Sequence, residues 1–252
     1  MYVYLIQWEK MKMLKYKITS LIMTAGQFLI LPSIYFILTN THTYSMILIS
    51  ILCCYLFTGI GFSLSAHRYF SHRQFKVSKF KEKILSILTV LGTWSSPIEW
   101  VAQHKHHHQN SDTENDVHST KYIGWYNSFY FFHKTHLIKP GNYTVGRLMS
   151  DTWHKFLLTY KHVIILFYAS LTYYLGGIDL LYYMFVIPTA YSLWAQMISV
   201  LNHVDGKPHD SFWQNIFTFG EGYHDYHHKH PKDYTKGLFL KPVINMIKDK
   251  NA

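Results

Sequence analysis

Four long apolar stretches punctuate the chain, at residues 18–38, 45–65, 162–175 and 180–201. A bilayer crossing takes about 20 apolar residues, so the third stretch spans when it is extended back to Phe156. Only the polar run 39–44 separates the first pair, and only 176–179 the second. This pattern predicts two helical hairpins with tight outer turns, with spans at about 18–38, 45–65, 156–175 and 180–201. Pro32 and Pro188 fall inside spans, where a bend is tolerated. Residues 84–94 are apolar but too short to cross, and read as an interfacial or re-entrant helix. Beyond Pro231, Leu238, Leu240, Val243, Ile244 and Ile247 recur among lysines, which predicts a short amphipathic helix lying on the membrane. No repeat, low-complexity tract or linker divides residues 1–252, so a single integral-membrane domain is expected.

Composition strengthens that picture. Hydrophobic residues make up 49% of the 252 positions and charged residues only 15%. Soluble domains carry about 25% charged residues, so the shortfall favours a membrane protein. The net charge of +10 raises the question of nucleic acid, but the basic residues are spread among apolar spans rather than gathered into a groove. Nucleic acid is therefore not expected as a partner. All 24 Lys and Arg lie before the first stretch, between the second and the run that starts at His162, or after the fourth. Cytoplasmic loops are enriched in Lys and Arg, so both termini and the large central loop should face the cytoplasm. Residues 1–17 show no apolar core followed by a small-residue cleavage site, so no removable signal is expected. Cys53 and Cys54 are adjacent within an apolar run and read as small buried residues rather than a disulfide.

The histidines change the picture from scaffold to chemistry. Eight of the 18 form three tight groups: His67 and His72, then His104, His107 and His108, then His224, His227 and His228. The charge bias puts all three groups on one membrane face. Residues three and four apart share a helix face, so each triple can offer two or three imidazoles to one side. His67 and His72 are five apart, roughly 140° around an ideal α-helix. They are expected not to chelate one ion from a regular helix; they serve two ions or sit where the helix frays. His203 stands alone at the cytoplasmic end of the fourth span, and its position beside the groups makes it a further candidate. His42, His106, His118, His133, His136, His154, His162, His209 and His230 read as surface or interfacial residues. Together the groups point to a multi-metal site at the membrane surface, because neutral imidazole is a common metal ligand. Imidazole alone does not choose among iron, zinc, copper and nickel.

Other chemistries fit less well. Glu221 and His224 make one Glu-x-x-His spacing, but the second copy needed by carboxylate-bridged di-iron bundles is absent. There is no Gly-rich phosphate loop, no Gly-x-Ser-x-Gly elbow and no His-Glu-x-x-His helix.

At these residues the chain resembles membrane fatty acid desaturases of the acyl-CoA Δ9 (stearoyl-CoA) type. His67-Arg-Tyr-Phe-Ser-His72 resembles their first histidine box. His104-Lys-His-His107-His108, followed by the acidic stretch from Ser111 to His118, resembles the second. Gly220-Glu-Gly-Tyr-His224-Asp-Tyr-His227-His228, followed by Pro231-Lys-Asp-Tyr234, resembles the third. The resemblance implies an all-α membrane protein, with four transmembrane helices in two hairpins and a cytosolic helical cap holding a di-metal site. It implies two irons ligated by His67, His72, His104, His107, His108, His203, His224, His227 and His228. It further implies an oxygen-dependent removal of two hydrogens from an acyl chain, giving a cis double bond at Δ9, with electrons from an external donor such as cytochrome b5. No haem domain is seen here, so that donor is expected to be a separate protein. No catalytic acid or base beyond the metal ligands is expected.

Where family members carry Asn four residues before the lone histidine, this chain has Ser199; Ser199, Gln196 and Glu221 are the candidates for contacts behind the ligands. The Arg-Asp pair that precedes the second box in animal enzymes is replaced by Ala102-Gln103, a feature shared with relatives acting on lipid-linked chains. The substrate is therefore acyl-CoA or an acyl lipid. By analogy the acyl tunnel ends near Ile51 and Tyr55, although a tyrosine in an apolar span more often serves packing. The last residues, from Lys248 to Ala252, resemble a Lys-x-Lys-x-x retrieval signal of the endoplasmic reticulum; the competing reading is a chance pair in a Lys-rich tail. A prokaryotic host would place the chain in the inner membrane instead. The rival readings are a fatty acyl hydroxylase using the same site and a non-catalytic zinc-binding membrane protein.

Overall fold

The computed structural model describes residues 21–22, 24–116, 118–124, 142–237 and 239–249. Helix dominates, and the only sheet among these residues is one two-stranded hairpin. An apolar helix over Thr24–Thr39 includes α1 (Ile30–Thr39). After a short turn the chain enters α2 (Tyr44–Cys54), which is started by the Thr43 side chain and runs without a break into a π-helical segment, Tyr55–Ser71. Together these two make a helix of 28 residues, long and apolar enough to cross a bilayer. It continues past residue 65, where the apolar stretch ends, and so carries the first histidine box on its own last turns.

α3 (Lys79–Thr93) follows, then α4 (Pro97–Asn110), with a 70° bend between them. The bend falls at Trp94, which takes a left-handed conformation with φ of 55° and caps α3 through its N–H to the Val90 carbonyl. The stretch 84–94, expected to be interfacial or re-entrant, thus lies in the first arm of this bent pair, and its Leu85, Ser86, Thr89 and Val90 are buried. Its partner is the π segment. The two helices approach closely at Gly61 and Gly92, where a Cβ would collide with the Leu88 and Phe57 carbonyl oxygens respectively. Ser65 Oγ donates to the Leu85 carbonyl at 2.7 Å and closes the same contact.

After α5 (Thr120–Ile123) and α6 (Asn142–Ser150) comes α7 (Thr152–Leu181), capped by Asp151. A short π turn, Tyr182–Val186, leads into α8 (Ile187–Val200). The stretch Thr152–Val200 is apolar but broken at Gly176 and Gly177, of which Gly177 has φ of 64°. The break lies in the expected turn 176–179. The two legs fold back on each other, since Tyr168 Oη donates to the Met184 carbonyl at 3.4 Å. At their turn ends the two helical pairs meet: Phe36 stacks on Tyr182 at 4.2 Å, and His42 is hydrogen-bonded to Tyr183. Residues 18–20 and 23 of the first expected span lie outside the described residues.

The chain continues with β1 (His203–Val204), β2 (Lys207–Pro208), α9 (Phe212–Phe217), α10 (His224–Lys229) and α11 (Lys241–Ile247). The amphipathic tail helix forms as α11 but does not lie free on a membrane. Its Ile244, with the preceding Leu240, is fully buried in a core with Phe70, Phe75 and Ile98. Lys81 Nζ also holds the Ile247 carbonyl at 2.9 Å. The apolar stripe is used up by the protein's own core; Leu238 and residues 250–252 of the retrieval-like signal lie outside the described residues.

Candidate metal centre

Local structure explains how each histidine reaches the site. The first box sits on the π-helical segment, where residue i+5 rather than i+4 closes the turn. The His72 N–H bonds the His67 carbonyl at 3.2 Å. The two imidazoles, expected to diverge on an α-helix, therefore come to one face and belong to one group. The expectation that they cannot chelate together is corrected by this winding.

The second box rides on α4, whose start is legible in the sequence. Ser96 and Glu99 form a reciprocal capping box, and Pro97 occupies the first turn. Glu99 is also paired with Lys161 of α7, whose side chain is 1% exposed, so α4 is pinned to that apolar helix. The third box follows the turn 218–223. Arg68 Nη2 donates to the Gly220 carbonyl at 2.6 Å, and Asn202 Nδ2 to the Glu221 carbonyl at 3.2 Å. Gly220 has φ of 123°, a conformation that glycine adopts without strain. Asn202, which would face away on a continued helix, sits beyond the end of α8 and holds this turn instead.

These elements bring nine imidazoles into two groups. His67, His72, His104, His108 and His227 form one, and His107, His203, His224 and His228 the other, with the candidate ligand atoms of each group within 4.8 Å of one another. Both α-helical triples are split between the groups. The i and i+4 members, His104 with His108 and His224 with His228, stay together, while His107 and His227 turn to the opposite group. The reason is angular: i+4 lies about 40° from i, whereas i+3 lies about 60° to the other side.

The donor set fits cations. Within the five-histidine group, Nε2 of His67 lies 2.8 Å from that of His227, and Nε2 of His72 lies 2.6 Å from that of His104. In the other group, Nε2 of His224 lies 2.9 Å from that of His203 and 3.2 Å from that of His228. Carboxylates fix the opposite ring nitrogens of three rings. Glu221 pairs with His67 Nδ1, Asp116 with His107 Nδ1 at 2.8 Å, and Asp112 with His203 Nδ1 at 3.1 Å. With the proton on Nδ1, each of those rings presents an Nε2 lone pair inward, the arrangement that a metal ion satisfies.

Electrostatics agree. Burial, followed by repulsion from neighbouring imidazoles, pushes His108 down to about 3 and His228 to about 2, and lowers His72, His104, His224 and His227 strongly. These rings are neutral at physiological pH and ready to ligate without losing a proton. Burial opposes the charge on Glu221, but His67, Arg68 and the Ser63 hydroxyl outweigh it and hold the carboxyl below its usual range. For Asp116 burial is likewise outweighed, by His107 and the backbone N–H groups of His118 and Asp112.

Against histidines of both groups lies a cavity of about 60 Å³ lined by Phe62, Trp100, Gln103, Gln196, Ser199 and His203, among others. Gln196 is buried; its Nε2 donates to the Gly92 carbonyl at 3.0 Å while its Oε1 has no protein partner. Ser199 Oγ donates back to the Ala195 carbonyl at 3.0 Å. Neither Ile51 nor Tyr55 lines this cavity. Ile51 is 57% exposed on the outer surface of its helix, and Tyr55 packs on Phe219 with its hydroxyl on the Phe239 carbonyl.

Sequence reasoning gave no role to Asp112 and Asp116; the signal available was their place in the acidic stretch after the second box. Two histidines read as surface residues are also placed otherwise. His118 lines the cavity, with its ring 5.4 Å from that of His107. His154 is buried, its Nε2 3.0 Å from the Glu82 carboxylate. His133 and His136 lie outside the described residues.

The sequence profile described as fatty acid desaturase matches residues 43–235. The chain belongs to the fatty acid desaturase family. Among curated relatives, Delta-9 acyl-lipid desaturase 1 of Arabidopsis thaliana is 33% identical over 199 residues, covering 74% of this chain and 65% of that protein. Delta-9 acyl-lipid desaturase 2 of the same plant is 31% identical, covering 73% and 64%. The sn-1 stearoyl-lipid 9-desaturase of Anabaena variabilis is 26% identical, covering 79% and 77%. The desaturase-family chain thus spans slightly under two thirds of the length of the two plant relatives. The matched region contains the whole of both histidine groups.

Proposed function

We propose that this chain is an oxygen-dependent acyl desaturase. Its two irons would be held by His67, His72, His104, His108 and His227 on one side and by His107, His203, His224 and His228 on the other. The observation that carries this reading is the convergence of nine imidazoles into two inward-facing groups within a desaturase-family chain. When bound, the irons supply the oxidising power, with O2 as co-substrate, that an unactivated C–H bond demands. The overall balance is two hydrogens from the acyl chain, two electrons and two protons with one O2, giving a cis alkene and two waters. The electrons come from an external donor such as cytochrome b5.

The chain's own residues bind, orient and exclude water. Glu221, Asp116 and Asp112 hold the protons of His67, His107 and His203 on Nδ1, and so keep Nε2 free for metal. Phe62 and Trp100 give the cavity apolar walls, and Gln196 Oε1, which has no protein partner, is one polar group among its lining that a small bound molecule could meet. The substrate is proposed to be a lipid-linked acyl chain, in keeping with the named plant and cyanobacterial relatives and with Ala102-Gln103 before the second box. A double bond at Δ9 follows from the same relatives. Four spans, at about 18–38, 45–65, 156–175 and 180–201, with both termini in the cytoplasm, complete the proposal. An endoplasmic reticulum location, or the inner membrane in a prokaryotic host, belongs to the same proposal.

Expression of wild type and His107→Ala in desaturase-deficient cells tests the reading. New monounsaturated chains with wild type alone are expected. Identical profiles would remove the catalytic claim, hydroxylated chains would assign the site to a hydroxylase, and zinc without iron in protein purified at native levels would favour a non-catalytic role.

A further inference from the structure

Helix α9 is built inside out. Its inward position Asn215 is fully buried and the following Thr218 is also buried, whereas Phe212, Trp213 and Phe217 are 53%, 67% and 57% exposed. A helix on a water-facing surface shows the opposite arrangement, with its apolar side inward. Phe239, 40% exposed, extends the same aromatic rim through Phe219, whose ring lies 6.0 Å away.

Two tyrosines fix the level of this rim against the apolar helices. Tyr191 of α8 donates its hydroxyl to the Phe217 carbonyl at 2.6 Å, and Tyr55 of the 28-residue helix donates to the Phe239 carbonyl at 3.0 Å. The exposed aromatics therefore adjoin the outer surfaces of two membrane-capable helices. Tyr and Trp concentrate where such helices leave the hydrocarbon, since their rings are apolar and their polar atoms reach the headgroup layer.

We infer that Phe212, Trp213, Phe217 and Phe239 form a membrane-inserted aromatic rim, whose occupant is the acyl and headgroup boundary of the lipid bilayer. Its consequence is a rigid link from the lipid surface to the third histidine box. The Ser211 N–H bonds the Gly222 carbonyl at 2.7 Å, and the Gly220 N–H bonds the Asn215 carbonyl at 2.9 Å. A Cβ on Gly222 would collide with the backbone of Ser211 and Asn215, so α9 cannot shift without moving the turn that carries Glu221 and His224. The depth of α9 in the lipid thereby sets the height of that box.

The inference rests on the membrane reading and not on the reaction. It is tested with the full chain in phosphatidylcholine nanodiscs, in a Cys53→Ala/Cys54→Ala background. Spin labels are placed at Trp213→Cys, at Glu114→Cys in the exposed acidic turn, and at Leu166→Cys on the exposed face of α7. Relaxation is measured with oxygen, which concentrates in lipid, and with a water-soluble nickel chelate. The expected result is that position 213 follows Leu166: strong relaxation by oxygen and loss of relaxation by nickel. Nickel access at 213 equal to that at Glu114 would overturn the inference, and so would protection from both reagents, which would show a protein partner or a second copy covering the rim. Should Trp213→Cys fold poorly by circular dichroism, Phe217→Cys gives the same reading. Nickel access at Leu166 itself would instead overturn the membrane reading on which the inference stands.

Discussion

Asp116 shows how a single residue can tune a site that it does not enter. It accepts from His107 Nδ1 and also gathers the backbone N–H groups of Asp112 and His118, at 2.8 and 2.9 Å. Loss of a carboxylate behind a ligating histidine typically costs about 10–100-fold in metal affinity or activity. Asp116→Asn is therefore expected to lower metal affinity by about that factor, measured by competition with a chelator. His106→Ala is expected to leave it unchanged, because His106 faces out and bonds the Asn115 carbonyl. The imidazoles also set a pH dependence. His108, His118 and His228 are held to about 3, 3 and 2, first by burial. An unfolded chain takes up protons on these rings near 6.5 while the folded metal-free protein does not, so stability falls as pH drops from about 6.5 toward 3. Thermal midpoints of metal-free protein in detergent should fall steadily across that window, with a plateau above it; a flat profile below 6.5 would contradict the burial of these rings. At this scale the ligand candidates could be read from spacing. Of their carboxylate partners only Glu221 stood out as a candidate; its pairing with His67, 154 residues away, and that of Asp112 with His203, 91 residues away, could not be read (221 − 67 and 203 − 112).

Among the helices, the histidine-bearing ones differ in what their sequences reveal. The start of α4 is explicit, since Ser96, Pro97 and Glu99 are cap residues at cap spacing. Ser96→Ala should cost about 0.5–2 kcal/mol, read from thermal or denaturant unfolding. Lys161→Met should cost more, about 3–5 kcal/mol, because it leaves Glu99 without its buried partner. Lys161→Met combined with Glu99→Gln should recover part of that loss, and a double variant as unstable as the single one would argue that packing rather than charge is at stake. The π winding of Tyr55–Ser71 is the opposite case. Nothing in a five-residue spacing says whether a helix closes its turns at i+4 or i+5, and the choice decides whether His67 and His72 diverge or converge. The tail helix α11 was visible as an amphipathic pattern, but the same pattern serves a membrane or a core. The bulk of Phe70, Phe75 and Ile98 waiting beneath it selects the core.

For the molecule as a whole, the proposal predicts two irons per chain by elemental analysis, and removal of metal by a chelator should lower the thermal midpoint, since metal binds the folded state alone. It also predicts opposite reactivities of engineered cysteines in intact microsomes: Glu114→Cys labelled from the cytoplasmic side, Thr41→Cys protected. The apolar stretches, the break at Gly176–Gly177, the charge bias and the histidine boxes are local or periodic properties, so the sequence by itself determined the helical class, the membrane setting and the candidate ligands. Tertiary structure alone decided the rest. It divided the nine imidazoles five and four, set three carboxylates behind them, and turned the apolar residues of α11 inward and those of α9 outward. Each of these depends on which surfaces meet across the fold, and linear spacing along a chain carries no record of that.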